Sequence, residues 1–182
     1  MKLNARQLRS LSEKGISESI ERMPLYIIVD NLYDTYNIGG LFRLGDALNI
    51  AELLICGNSE TPPNHKIEKA SIGTYKVVPW RYYKTTLEAI KALRLRVPDI
   101  KIVAIEQDNK AVPYTEFTFT TPLAFIAGHE THGITPEVLK AADTIVNLPM
   151  HGINISLNVI VATGIVAYHA VTSLDIYHKK GL

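Results

Sequence analysis

Three short clusters hold most of the residues in this chain that are able to do chemistry. Asn37 and Arg43 lie in NIGGLFR. His129, Glu130 and His132 lie in GHETHG. Ser156 and Asn158 close the stretch NLPMHGINISLN. Each cluster follows an apolar run that reads as a buried strand, and ligands of open α/β sheets bind beyond the carboxyl ends of the strands. Convergence of the three clusters is therefore the first functional expectation. In the third, a strand ends at Pro149 and a helix opens after Ser156. Small polar side chains and free backbone amides at such a junction can hold a ligand's polar edges. Taken alone, that stretch favours the plainer reading, an ordinary strand, loop and helix with Ser156 as N-cap.

The individual side chains narrow the chemistry. Arg43 on the buried side of a helix needs an anion, and a guanidinium binds phosphate through two parallel hydrogen bonds. The competing reading is a surface pair with Asp46, three residues on. His129, Glu130 and His132 form H-E-x-H in a glycine-flanked loop, not the helical H-E-x-x-H of zinc sites, and no third ligand is near in sequence. Glu130 is expected instead to accept hydrogen bonds from loop amides or from Asn or Arg side chains, and His151 to sit on the rim. Neither a dinucleotide-binding G-x-G-x-x-G nor a P-loop occurs. A basic loop carries His65, Lys66 and Lys69. Beyond it Tyr75, Trp80, Tyr82 and Tyr83 alternate with Lys76, Arg81 and Lys84. That stretch could stack bases and neutralise phosphates, or be core aromatics beside a solvated rim.

The elements that must position these residues are legible as alternating strands and helices. The chain has 182 residues, 47% hydrophobic and 20% charged, enough for one domain with a substantial core. Net charge is +1, so nucleic-acid binding needs a local patch. The single cysteine, Cys56, excludes an internal disulfide or a cysteine-based zinc site. The charged N-terminus lacks the apolar core of a signal peptide, and no apolar run is long enough to span a bilayer; a cytoplasmic soluble protein is expected. Residues 1–22 read as a basic helical arm, broken near Gly15, and 23–182 as one domain. Expected strands run over Leu25–Val29, Ala51–Ile55, Tyr75–Val78, Ile100–Ile105, Leu123–Ala127 and Thr144–Leu148. Expected helices run from about Ile38, capped by Asn37, to Leu48; over Thr86–Arg96; from the Thr135 cap through Ala142; and from Ser156 to near Tyr177. Gly39 and Gly40 allow the first of these to approach a neighbour closely. Residues 57–71 and 106–121 read as loops. The class is α/β, with a mostly parallel sheet covered on both faces.

Together the motifs NIGGLFRLGDALNI (37–50), AFIAGHETHGI (124–134) and NLPMHGINISLNVIVATGIVAYHA (147–170) resemble the SpoU/TrmH family of SPOUT-class RNA methyltransferases, in the family's order and spacing. The resemblance implies a deep C-terminal trefoil knot, a homodimer, and S-adenosylmethionine bound in the knot. It implies methyl transfer to a ribose 2′-hydroxyl of tRNA or rRNA. By motif match Asn37, Arg43, Glu130, Ser156 and Asn158 fall on active-site positions, and the backbone of Gly128, Leu148, Met150 and Leu157 on the cofactor cradle. No metal and no membrane partner is implied. With net charge near zero, RNA affinity is expected from Arg81, Lys84, Lys66 and Lys69, from the basic arm and from the dimer surface. Arg43 falls where the family's proposed base lies. Because a guanidinium keeps its proton, the other reading has Arg43 holding the neighbouring phosphate and orienting the hydroxyl. The rival function is a non-catalytic RNA-binding or assembly factor that keeps the fold.

Overall fold

Continuous runs of branched apolar residues bury both faces of a strand, and so demand helices on both sides of the sheet. A computed structural model of the chain describes residues 2–10 and 21–174 and has that layering. Seven parallel strands are β1 (Met23–Asp30), β2 (Ile50–Cys56), β3 (Trp80–Tyr83), β4 (Lys101–Ile105), β5 (Val112–Pro113), β6 (Leu123–Ala127) and β7 (Thr144–Asn147). Their order is β3-β2-β1-β6-β4-β7-β5. The helices are α1 (Ala5–Ser10), α2 (Thr35–Ala47), α3 (His65–Ser71), α4 (Thr86–Arg96), α5 (Pro136–Ala141) and α6 (Val159–Ser173).

Strand side chains alternate between two cores, as a period of two requires. Ile27, Val29, Leu53, Ile55, Phe125 and Val103 face one core, which α2 and α6 close with Leu41, Phe42, Val166 and Ala170. Ile28, Leu54, Cys56, Ile126 and Ala104 face the other, closed by Ala89, Ile90 and Leu93 of α4 and Val138 of α5. Gly39 and Gly40 do bring neighbours close. A Cβ on Gly39 would lie 2.5 Å from that of Ala70 on α3, and one on Gly40 would lie 2.3 Å from Cδ1 of Ile160 on α6. Close contact at these two points sets α3 and α6 against the second turn of α2, within the first motif.

Several expected boundaries move, each for a local reason. Helix α2 starts at Thr35, not Ile38, because Asp34 caps it by accepting from the Tyr36 amide at 2.8 Å; Asn37 is inside the first turn. Helix α6 is capped by Asn158, which accepts from the Ile160 amide at 2.9 Å, not by Ser156. It ends at Ser173, and Tyr177 lies outside the described residues. Thr135 occupies the cap position of α5 without a side-chain cap bond. The expected loop at 57–71 contains α3, capped by Asn64 through the Lys66 and Ile67 amides. The expected strand at Tyr75–Val78 is a 3₁₀ turn over Thr74–Lys76, entered through Gly73 at φ 99, and the edge strand begins after Pro79, at Trp80. The loop at 106–121 holds β5. Of the expected N-terminal arm, α1 is described and its Leu8 packs into the core; residues 11–20 lie outside the described residues.

Cys56 is fully buried at the end of β2, and burial pushes its thiol up to about 12. A thiol that keeps its proton is a poor nucleophile. A thiol-reactive disulfide reagent at mildly alkaline pH is expected to leave the native protein unlabelled and to label its single cysteine in denaturant. Rapid labelling of the native protein would contradict the position of β2.

Candidate functional site

Asn37 is 5% exposed, and a buried amide must find partners for both its ends. It finds them in the other two clusters. Its Nδ2 donates to Glu130 Oε1 at 3.1 Å, and its Oδ1 accepts from Asn158 Nδ2 at 3.0 Å. Glu130 also accepts from the backbone amides of Asp34 at 2.8 Å and Tyr33 at 3.3 Å. Asn158 uses its own Oδ1 to cap α6. The three motifs thus converge as their positions after β1, β6 and β7 implied. Partial burial pushes the Glu130 carboxyl up. Hydrogen bonds from its own backbone, from Asn37 and from the Asp34 and Tyr33 amides outweigh this and hold it below the usual carboxylate range.

Beside this junction opens a cavity of about 340 Å³, lined by the ends of β4, β6 and β7, the loop 128–133, the loop 155–158 and the start of α6. Two residues that sequence reasoning missed brace its walls. Glu106, just past β4, accepts from the Ile134 amide at 2.7 Å and from the Gln107 amide at 2.8 Å. Gln107 donates from Nε2 to the Leu148 carbonyl at 2.7 Å. The pair thus ties the loop after β6 to the loop after β7. Gly133 has φ +65, and a Cβ there would lie 2.2 Å from Glu106 Oε2; a side chain would break the brace. The signal that could have found Glu106 was its place, a carboxylate directly after a buried strand, on the same side of the sheet as the other clusters.

The remaining predicted residues divide. Gly128, Leu148, Met150 and Leu157 all line the cavity, with Glu130, Ser156 and Asn158. Ser156 is exposed, and its amide donates to Asn154 Oδ1 at 3.3 Å. Arg43 is exposed on α2 and outside the lining, so of the two readings its spacing allowed the surface one holds, though without the pair to Asp46. It has no ion pair among the described residues: Asp46 interacts with Arg22 instead. His129 Nδ1 accepts from the Thr131 and His132 amides at 3.0 and 3.3 Å. That nitrogen is therefore an acceptor, and its 3.8 Å approach to Glu130 is not an ion pair. No cluster of three metal-ligating side chains exists among the described residues. Arg81 is drawn to buried Glu52, Nε to Oε1 at 3.2 Å, a carboxylate it shares with Arg96. Lys84, Lys66 and Lys69 are exposed. Arg81 lies on edge strand β3, separated from β6 by β2 and β1, and so stands apart from the cavity.

The lining tests whether a sulfonium nucleoside would fit. Ile105, Ala127, Leu148, Leu157 and Ala162 offer apolar walls. Glu106 and Glu130 are carboxylates, and no lysine or arginine lines the cavity. An apolar, nucleoside-sized space with anionic edges suits a cationic adenosyl compound and disfavours a nucleotide phosphate.

Comparison with known proteins agrees with this chemistry. The family model described as SpoU rRNA Methylase family matches residues 24–168. A tRNA (guanosine(18)-2'-O)-methyltransferase of Aquifex aeolicus is 29% identical over 160 residues, covering 86% of this chain and 74% of that protein. The 23S rRNA (guanosine-2'-O-)-methyltransferase RlmB of Acinetobacter baylyi is 29% identical over 165 residues, covering 88% of this chain and 65% of that protein. Among solved structures, the A. aeolicus TrmH/SpoU tRNA modifying enzyme matches with a TM-score of 0.77 at 26% identity, over 97% of this chain and 84% of that one. The SpoU methyltransferase AviRb from Streptomyces viridochromogenes, in complex with AdoMet, matches with a TM-score of 0.74 at 25% identity, over 85% of this chain and 62% of that one. The chain thus spans less than two thirds of RlmB and of AviRb.

The depressed Glu130 carboxyl makes a prediction with a definite sign. A carboxyl held low in the folded state stabilises it at pH above the ordinary glutamate value of about 4.3, and the contribution is lost as pH falls through the folded value. Glu130→Gln is expected to lower the urea midpoint at neutral pH, and the deficit is expected to shrink as pH falls below the ordinary glutamate value and through the lower folded one. A deficit that grows on acidification would contradict the hydrogen-bond assignment.

Proposed function

Because the chain belongs to the SpoU rRNA Methylase family over residues 24–168, we propose that it transfers a methyl group from S-adenosylmethionine to a ribose 2′-hydroxyl of structured RNA, tRNA or rRNA. One observation carries the reading: the bonded chain Glu130–Asn37–Asn158 stands at the edge of a nucleoside-sized cavity with carboxylates and no lysine or arginine in its lining. The two relatives named above are 2′-O-methyltransferases of tRNA and 23S rRNA, and AviRb binds AdoMet.

In this reading the backbone of Gly128, Leu148, Met150 and Leu157 holds the adenosyl part. S-adenosylmethionine supplies a methyl group on a sulfonium, so the bond to the ribose oxygen forms as the carbon–sulfur bond breaks and the sulfur leaves neutral. The protein's task is then to align a weakly acidic alcohol and help remove its proton. Arg43, exposed and without an ion pair among the described residues, holds the phosphate next to the target ribose and orients the hydroxyl, and that phosphate or a water takes the proton. Its exposure supports this role over that of a base, since a guanidinium free of a carboxylate keeps its charge for phosphate. Ser156 and Asn158 position the hydroxyl, and Glu130 braces the backbone behind it.

The wider assembly follows from the same family reading. Strand β6 lies between β1 and β4, and the chain then crosses to β7 on the far side of β4; this crossing is where the deep trefoil knot would form. Val161, Ile165 and Tyr168 are each 39% or more exposed on one side of α6, an apolar stripe suited to a second copy of the chain. The arm at 1–22 and the domain at 23–182 then act as one RNA-facing unit, with Lys84, Lys66 and Lys69 contributing phosphate contacts, whereas Arg81 is engaged with Glu52. No helix among the described residues is long and apolar enough to cross a membrane, and a cytoplasmic location suits a tRNA or rRNA substrate.

The reading is tested by incubating the purified protein with methyl-labelled S-adenosylmethionine and bulk tRNA or rRNA, and mapping the product. Label on a ribose oxygen is expected. Arg43→Lys is expected to lower turnover by about 10²-fold or more, within the range of lost proton-transfer and alignment catalysis. Label on a base would overturn the ribose assignment, and undiminished turnover in Arg43→Lys would overturn both roles for Arg43. A protein that binds no S-adenosylmethionine by calorimetry would instead be the non-catalytic RNA-binding factor.

A further inference from the structure

The loop that joins β1 to α2, together with the first turn of that helix, exposes two large aromatics. Tyr33 is 55% exposed and Tyr36 is 50% exposed. They flank a shallow cleft completed by Asp34, Thr35, Glu60, Asn64, His65 and Lys66. Exposed tyrosines are ordinary on mobile loops, but this loop is held. The backbone amides of Tyr33 and Asp34 donate to Glu130, the Tyr36 amide donates to Asp34, and the Leu32 amide donates to Ser59 Oγ at 2.8 Å. The Tyr33 ring meets His129 edge-on, with centroids 4.6 Å apart. His129 lines the methyl-transfer cavity, so Tyr33 stands at its border, and the Tyr36 backbone, directly before Asn37, is held by the Asp34 cap.

Such a position has a use if RNA is the substrate. A ribose 2′-hydroxyl can reach an enclosed site only where the strand is unpaired or splayed, and unpaired bases are held by stacking on aromatic rings. We propose that Tyr36, with Tyr33 beside it, is a stacking platform for an unpaired base adjacent to the methylated nucleotide, and that Lys66 and Lys69 carry the phosphates leading to it. The two lysines are exposed on α3, three residues apart and so on one face, with Lys66 on the cleft itself. The carboxylates fit the same arrangement. Asp34 is occupied as the α2 cap, and Glu60 on the opposite rim turns the phosphates towards the lysines. This inference rests on the proposed RNA methyl transfer and names how that site takes hold of its substrate.

The test uses the full-length protein, a fluorescein-labelled single-stranded RNA decamer of mixed sequence, and bulk tRNA and rRNA in the transfer assay. Tyr36→Ala is expected to weaken decamer binding and raise the RNA KM by about 5- to 150-fold, the range for losing one stacked base. S-adenosylmethionine affinity by calorimetry and the oligomeric mass are expected to stay unchanged. Tyr36→Phe is expected to restore binding, because stacking needs the ring and not the hydroxyl. Unchanged RNA binding in the double variant Tyr33→Ala, Tyr36→Ala would overturn the platform, as would failure of Phe to rescue. A fall in oligomeric mass would overturn it in favour of a contact between copies of the chain. Wild-type protein that binds cofactor but no RNA would remove the underlying reading instead, an outcome separable from all of these.

Discussion

The side-chain amide of Asn37 is the point on which the site depends. It joins residues that are 93 and 121 positions away in sequence, and it does so while buried. A buried amide deprived of a partner costs about 1–3 kcal/mol, so the three loops are held in one arrangement. The consequences run outward in both directions. Asn158, fixed by Asn37, caps α6 and so sets where the loop 149–157 must end. Glu130, fixed by Asn37, fastens the Tyr33–Asp34 backbone and so the entry to α2. Glycine at 40 lets α6 come close enough for the bond to its Asn158 cap, while glycine at 39 seats α3 against the same helix. The packing of the sheet and the polar geometry of the site are therefore one construction.

Charge is distributed in two layers around that junction. The cavity presents Glu106 and Glu130 and no lysine or arginine, while Arg43, Lys66, Lys69 and Lys84 stand on the outer surface. A small cation and a polyanion would thus be attracted to different faces of the same few loops. That arrangement accommodates a near-neutral protein whose two proposed ligands carry opposite charges. Arg81 and Arg96 show the other use of cations: both are spent on one buried carboxylate, Glu52, which would be costly to leave unpaired.

What could be read from the sequence follows from where the signals are local. The central strands were legible because their apolar runs are continuous, and the order of the three clusters pointed to one end of the sheet. Helix α4 was legible from the helical spacing of Leu87, Ile90, Leu93 and Leu95, although of these four only Ile90 and Leu93 are buried. The short elements were not. Helix α3 has seven residues and buries two of them, too few for a period to stand out, and β3 is an edge strand with two exposed residues at its centre. The caps were misassigned for a different reason. Asn37 and Ser156 are proper capping residue types, and nothing within a few positions reveals that Asn37 is engaged with Glu130 and Asn158 instead. The spacing of Arg43 allowed a buried or a surface side chain, and only the packed fold places it in solvent. Glu106 and Gln107 drew no attention because they match no motif, although they stand at the end of a buried strand where the sheet rule would have looked.

The central claim is that Asn37, Glu130 and Asn158 act as a unit. A double-mutant cycle on unfolding free energy, with Asn37→Ala and Asn158→Ala singly and together, measures this directly and needs no knowledge of the RNA. Residues in direct hydrogen-bond contact are expected to show a coupling of roughly 0.5–3 kcal/mol, the double variant losing less than the sum of the two single losses. Losses that simply add, within about 0.3 kcal/mol, would show that the two amides do not depend on each other and would contradict the account.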